Sequence, residues 1–450
     1  MRVWGENVPQ AARLARCPRT GGENEMRGGY CMKLLKGNIV FAPRLGELTE
    51  IERGALLLSD GGTILDVCAR VPDGCDAEVF DYGDALIMPS FADMHLHAPQ
   101  YPMLGMGMDL PLLDWLNAYT FKTEARFADT DYARGVYRKL ARELIAQGTT
   151  RVCMFSSLHT DATLVLMEEL ERAGVTGFVG KVNMDRNSGA VLRESTQESM
   201  RETLRWLDGC ASFAHVRPIL TPRFPPSCTD ELMAWLGKLA GERGLSVQSH
   251  LSENEREIAL VRELHPDCAQ YWETYNKYGL WKDHTIMAHC VHSDARERAA
   301  IRRANVVAVH CPDSNVNLCS GVAPVRAMLR EGLWVALGSD IAGGALLAMN
   351  RVVGAAIRAS KLRQIQTDGA DEFLTVAEGY YLASTAGHRY FGAGEGFVPG
   401  DALHAIVVDD RAFAESTRPL SLRERFERSI YLLDKTTIRA VWSDGRRVVG

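Results

Sequence analysis

Two textures alternate along this chain. From residue 32 to about residue 87 the apolar positions come in short runs broken by turns, as in "KLLKGNIVFAP", "GALLLSDGGTILDVCARV" and "DALIMPSF". Alternation on that scale predicts half-buried strands, and Asp60-Gly61-Gly62 between two such runs predicts a hairpin. The same texture returns near the C-terminus in "ALHAIVVDD" and "IRAVWSDGRRVVG". Two β-rich ends around a different middle predict a small β-sandwich domain assembled from residues 32–87 and 396–450. Residues 1–31 are rich in Gly, Arg and polar side chains and read as a poorly ordered tail.

Between residues 88 and 395, short β-branched runs alternate with longer amphipathic stretches. Eight strands are expected within residues 88–97, 149–157, 176–185, 216–224, 245–253, 285–292, 306–314 and 333–342. The intervals hold helical patterns such as "DYARGVYRKLARELIAQG" and "DELMAWLGKLAGERG", each closing on a glycine suited to a helix C-cap. Eight strand–helix units predict an α/β chain whose catalytic domain is a (β/α)8 TIM-like barrel. A doubly wound open sheet is the competing arrangement, but no Gly-x-Gly-x-x-Gly follows an early strand.

Composition narrows the function classes. At 46% hydrophobic and 24% charged, the 450 residues have the balance of a globular chain with ample core. A net charge of −6 offers no reason to expect nucleic acid or an anionic membrane as partner. No apolar run approaches the roughly 20 residues of a membrane span, and the N-terminus lacks the apolar segment of a signal peptide. The 11 cysteines form no Cys-x-x-Cys, and several, including Cys68, Cys153 and Cys290, sit in apolar runs. They read as reduced, buried thiols of a cytoplasmic protein.

On a barrel, chemistry gathers where strands end. Those ends carry His95 and His97, Arg223 and Phe224, His250 and Glu253, His289, and Asp340. His95 and His97 are two apart, so on a strand both imidazoles point to one face. A pair alone fits either a metal or a packed, hydrogen-bonded core. With His250 and Asp340 it makes an N/O set suited to one divalent cation, Zn²⁺ first, with Fe²⁺ accepting the same ligands. Glu253, three residues past His250, is placed to shuttle protons, although "SENERE" also suits a helix start that favours acids. His289 fits a fourth nitrogen ligand or a hydrogen-bonding electrophile. Lys181 reads as structural, which favours one metal over two.

The stretches "PSFADMHLHAPQYP", "QSHLSENERE", "MAHCVHSD" and "GSDIAGG" resemble the amidohydrolase superfamily in its mononuclear metal-dependent deaminase branch. Within that branch, "HAPQY", "DLPLLDWLNAYTF", "TPRF", "HLSENEREI" and "HCPDSNVNLCSG" resemble the guanine deaminase family, in the same order from about Met32 to the C-terminus. The resemblance implies metal ligation by His95, His97, His250 and Asp340, with Asp340 also catalytic. It implies a proton shuttle at Glu253, polarisation by His289, and base recognition by Gln100, Arg223 and Phe224. It further implies hydrolysis of guanine at C2 to xanthine and ammonia. A guanidinium has the paired donors that guanine O6 and N7 accept, and the amide of Gln100 offers both donor and acceptor. "DALHAIVVDD" stands where relatives often carry an Ala-Asp-leucine run, away from the site. A homodimer is the expected assembly. Two rival readings are a deaminase for 8-oxoguanine, another aminopurine, cytosine or an aminotriazine, and a metal-free barrel serving as a binding or assembly protein.

Overall fold

The first and last described segments enter one sheet in the computed structural model, which describes residues 32–70, 76–189 and 191–450. The expected N-terminal tail lies outside those residues. The sheet has seven strands in the order Arg446–Val449, Ile438–Ser443, Ala405–Val408, Glu78–Pro89, Met32–Phe41, Thr49–Ser59 and Ile64–Cys68. The hairpin expected at Asp60-Gly61-Gly62 joins the last two. Gly62 has φ 84° and packs against Gly445, where an added Cβ would fall 2.1 Å from the neighbouring Cα, so the two tight turns interlock only without side chains. The sheet encloses its own cluster, with Leu35, Ile39, Leu58, Ile87, Val407 and Trp442 buried together. Its hydrogen bonding is that of one continuous seven-stranded sheet, where the sequence pattern predicts a sandwich.

All eight strands expected in the middle are present and run parallel to their neighbours. Four pair in chain order as Phe91–His97, Thr149–Phe155, Thr176–Gly180 and Val216–Pro218. Four more follow as Gln248–Leu251, Ile286–His289, Val307–His310 and Trp334–Leu337. A parallel bridge between Leu220 and Val247 links the two groups. On the other side the Asp340 N–H donates to the His95 carbonyl at 2.8 Å, and the His97 N–H donates to the Ile341 carbonyl at 3.1 Å. Gly338 permits that approach, because a Cβ there would stand 2.8 Å from the Cβ of His95. The strands are shorter than the apolar pattern suggests. "VVAVHCPDS" leaves the sheet after His310 because Pro312 starts the helix Pro312–Asn317.

Helices between strands bury single apolar stripes. Thr130–Ala146 turns Ala133, Tyr137, Leu140, Ala141 and Leu144 inward, and Asp129 caps it by accepting from the Asp131 and Tyr132 N–H groups. The result is a mixed α/β fold. Among the described residues no helix is long and apolar enough to cross a membrane. Cys68, Cys153 and Cys290 are buried, as their apolar runs predict, and so are Cys210, Cys228 and Cys311, whereas Cys268 is half-buried and Cys319 exposed, against the expectation of buried thiols.

At the N-terminal ends of the first two central strands, a buried histidine holds the chain together. His388 Nε2–H donates to the Ser90 carbonyl at 2.7 Å, while Nδ1 accepts from Arg151 Nη1 at 3.0 Å. Burial first, then the nearby Arg151 charge, pushes its pKa down to about 3. The unfolded chain therefore takes up the proton first. The stabilisation is complete above the ordinary pKa of about 6.5 and is lost as pH falls below it. Replacing His388 by Asn removes this dependence. The stability gap between parent and variant is expected to narrow by about 2 kcal/mol from pH 7.5 to pH 5 in denaturant titrations. A gap that stays constant would show that His388 is not held neutral.

Candidate active site

The strand ends bring six titratable groups to one point. His95 and His97 leave the strand Phe91–His97 on the same side, and both are buried. His97 Nε2 lies 3.2 Å from His250 Nε2. Asp340 Oδ1 lies 3.2 Å from His95 Nε2 and 3.5 Å from His97 Nε2. His289 Nε2 stands 3.8 Å from Asp340 Oδ2 and 3.5 Å from Glu253 Oε2. His289 and Asp340 take φ of 75° and 47°, a left-handed backbone that non-glycine residues adopt rarely and mostly where function holds them.

Hydrogen bonds fix which nitrogen of two rings carries the proton. His250 Nδ1–H donates to the Arg223 carbonyl at 2.6 Å, and His289 Nδ1–H donates to Asn315 Oδ1 at 2.9 Å. Each therefore aims an Nε2 lone pair at the cluster. His95 Nδ1 and Nε2 and His97 Nδ1 are buried without an aligned hydrogen-bond partner. Buried lone pairs facing one another are costly unless a cation lies among them. Ligand atoms of His95, His97 and His250, and of His95, His289 and Asp340, lie within 4.8 Å of one another. Two imidazole nitrogens on one tetrahedral ion stand roughly 3.4 Å apart, close to the His97–His250 separation. The residues fit a single divalent metal.

Burial, reinforced by the neighbouring His95, holds His97 and His250 well below the ordinary imidazole range. Asp340 and Glu253 are driven apart. Burial raises the Asp340 carboxyl, but the close imidazoles, His95 first at 3.2 Å and then His289 and His97, outweigh it and keep Asp340 ionised. Burial and then the Asp340 charge push Glu253 well above the carboxylate range, favouring its protonated form. Two carboxyls with opposite tendencies at one point are the arrangement expected of an acid and a base. The competing helix-capping role belongs to another residue. Asn254 and Glu257 form the capping box of Glu255–Leu264, and Glu257 Oε2 accepts the Glu253 and Asn254 N–H groups.

Beside the cluster opens a small pocket lined by His97, Gln100, Arg223, Phe224, Glu253 and His289 among others. Leu112, Trp115, Leu116 and Leu318 complete its wall, so "DLPLLDWLNAYTF" supplies cover as well as packing. Lys181 is buried against Glu194, with Nζ 2.9 Å from Oε1, and stands outside the cluster. Three groups that hold the site carry no signal in the sequence pattern. Asn315 orients His289, Ser320 Oγ donates to Glu253 Oε1 at 3.4 Å, and Glu124 binds both Gln100 and Arg223.

Residues 86–448 match the Amidohydrolase family. The chain is 33% identical to the guanine deaminase of Dictyostelium discoideum, over 94% of this chain and 99% of that protein. It is 36% identical to the guanine deaminase of Rattus norvegicus, over 80% of this chain and 82% of that protein. Among solved structures, guanine deaminase from C. acetobutylicum with guanine bound in its active site superimposes with a TM-score of 0.89 at 41% identity, covering 92% of this chain and 99% of that one. The chain belongs to the amidohydrolase family and, within it, groups with the guanine deaminases.

Proposed function

We propose that this chain is a guanine deaminase, a hydrolase that converts guanine and water to xanthine and ammonia by attack at C2. One observation carries the reading: three imidazoles and a carboxylate converge beside a pocket lined by a guanidinium, an amide and an aromatic ring. The guanine-bound relative supports the choice of base.

In this reading His95, His97, His250 and Asp340 would hold one divalent metal. Three nitrogens and an oxygen suit Zn²⁺ first, with Fe²⁺ also accommodated. When bound there, the metal would activate a water near neutral pH. Asp340, ionised in its imidazole surroundings, accepts the proton that this water gives up. Glu253, protonated because it is buried, donates to the ring nitrogen beside C2 and makes that carbon electrophilic. His289, whose Nε2 lone pair faces the cluster, accepts a hydrogen bond from the attacking water and polarises it. The proton held by Asp340 reloads Glu253, which passes it to the departing amine. Ammonia leaves as the C2 hydroxyl gives its proton to Glu253 and becomes the carbonyl, so Asp340 ends ionised and Glu253 protonated, as they began. Gln100, Arg223 and Phe224 orient the base, Phe224 by offering a ring face.

The supporting scaffold is read as a closed (β/α)8 barrel over residues 88–395. The hydrogen bonds from Asp340 to His95 and from His97 to Ile341 support closure. The seven-stranded sheet, curled about its own core, serves as the β-sandwich of residues 32–87 and 396–450. Buried thiols favour a cytoplasmic setting, and a homodimer is the commonest assembly for such chains.

The test is incubation of the purified protein with guanine, with xanthine and bound metal measured in the same sample. Xanthine formed by protein holding about one metal per chain is the expected result. Metal-loaded protein that forms no xanthine, or that releases ammonia faster from 8-oxoguanine, cytosine or an aminotriazine, would overturn the assignment.

A further inference from the structure

Glu124 is fully buried, and both its oxygens are committed to the groups assigned to the base. Oε1 accepts from Gln100 Nε2 at 2.9 Å and from Arg223 Nη2 at 3.1 Å, while Oε2 accepts from Arg223 Nη1 at 2.7 Å. One carboxylate thus joins two residues that come from different strand ends. Its helix also offers Phe121, whose ring centroid lies 5.4 Å from the Arg223 guanidinium carbon.

A break in helical register brings Glu124 to this position. The run 112–125 is α-helical at Leu112–Trp115, a π-helix at Leu116–Thr120, and α-helical again at Phe121–Ala125. In uninterrupted α-helix, Glu124 would lie about 120° around the axis from the pocket-lining Leu112. The extra residue of a π turn reduces that offset to about 20°. Leu112, Trp115 and Leu116 therefore cover the pocket from the same helical run that delivers Glu124 to Arg223.

The pairing decides which donors remain. Glu124 takes Arg223 end-on through Nη1 and Nη2, which leaves the Nε–Nη2 edge with two parallel donors. Such an edge matches two adjacent acceptors, as guanine O6 and N7 are. Gln100 is fixed the same way, because the Ala342 N–H donates to Oε1 at 3.0 Å while Nε2 donates to Glu124. Its amide cannot flip without opposing donor to donor at Ala342 and acceptor to acceptor at Glu124.

We infer that Glu124 is a positioning residue for substrate specificity, locking Arg223 and Gln100 in the orientation that reads the O6–N7 edge of guanine. The inference rests on the guanine reading above.

The experiment compares guanine turnover with inhibition by 2-aminopurine, which lacks the O6 acceptor, in the parent and in Glu124→Gln. In the variant, kcat/KM for guanine is expected to fall about 100-fold, chiefly through KM, since misplacing a positioning group costs on that scale. The ratio of the 2-aminopurine inhibition constant to the guanine KM is expected to fall at least tenfold, because the lost contact is the one that favours O6. Glu124→Asp, which keeps the charge on a shorter stem, is expected to fall between the two and serves as the test should the Gln variant not fold. A ratio within threefold of the parent, in whichever variant folds and retains metal, overturns the inference, since a purely structural residue would weaken both compounds alike. Absence of guanine turnover in the parent would instead overturn the functional reading.

Discussion

Glu253→Gln is expected to bind metal as the parent does, melt no lower, and lose about 10³-fold in turnover. The metal is unaffected because Glu253 lies outside both groups of potential ligands. The adjoining helix is unaffected because its N-terminus is capped by Asn254 and Glu257. Stability is preserved because burial already penalises the ionised Glu253, and the Asp340 charge adds to that penalty. A neutral amide of the same shape escapes both costs. What the amide cannot do is donate a proton and take it back. A loss of 10³ corresponds to about 4 kcal/mol of transition-state stabilisation, within the range of a single well-placed acid–base group. The check is steady-state turnover beside metal content and melting temperature. More than a tenth of parental turnover in a metal-loaded variant would remove Glu253 from the proton path.

The parts of the site that the sequence makes legible are those encoded locally. His95 and His97 announce themselves by strand period. His250, Glu253, His289 and Asp340 do so by standing where apolar runs stop. The structure brings all six together, and the eight expected strands are found in order although most are shorter. The supporting groups are not local. Glu124 is 24 residues from Gln100 and 99 from Arg223. A 3.6-residue period would turn it away from the pocket, since the π turn that redirects it leaves no compositional mark. Asn315 and Ser320 lie in "HCPDSNVNLCSG", which carries family likeness, yet nothing in that string says which side chain meets His289 or Glu253. The continuity of the seven-stranded sheet is hidden for a related reason. Alternation shows that a strand has two faces and says nothing about which strand pairs with which.

The second large effect is expected at Asp340. Asp340→Asn should lose more than 10⁴-fold in turnover and should bind metal less tightly, because two roles end together. Among the described residues, Asp340 is the only carboxylate in the ligand groups. Without it, the His95, His97 and His250 side chains offer a cation neutral donors alone. It is also the base assigned to the water proton, and an amide cannot accept that proton at neutral pH. Supplying excess Zn²⁺ separates the roles. Restored occupancy without restored turnover would show that the charge is needed for chemistry as well as for binding, whereas full recovery of turnover would confine Asp340 to ligation. Combining Asp340→Asn with Glu253→Gln sharpens the point. Groups that act in one proton-transfer sequence are strongly non-additive, because the second loss removes a step already disabled. The double variant should therefore be about as slow as Asp340→Asn alone. Losses that multiplied would mean that the two carboxyls serve separate steps, and the shared path from water through Asp340 and Glu253 to the leaving amine would have to be abandoned.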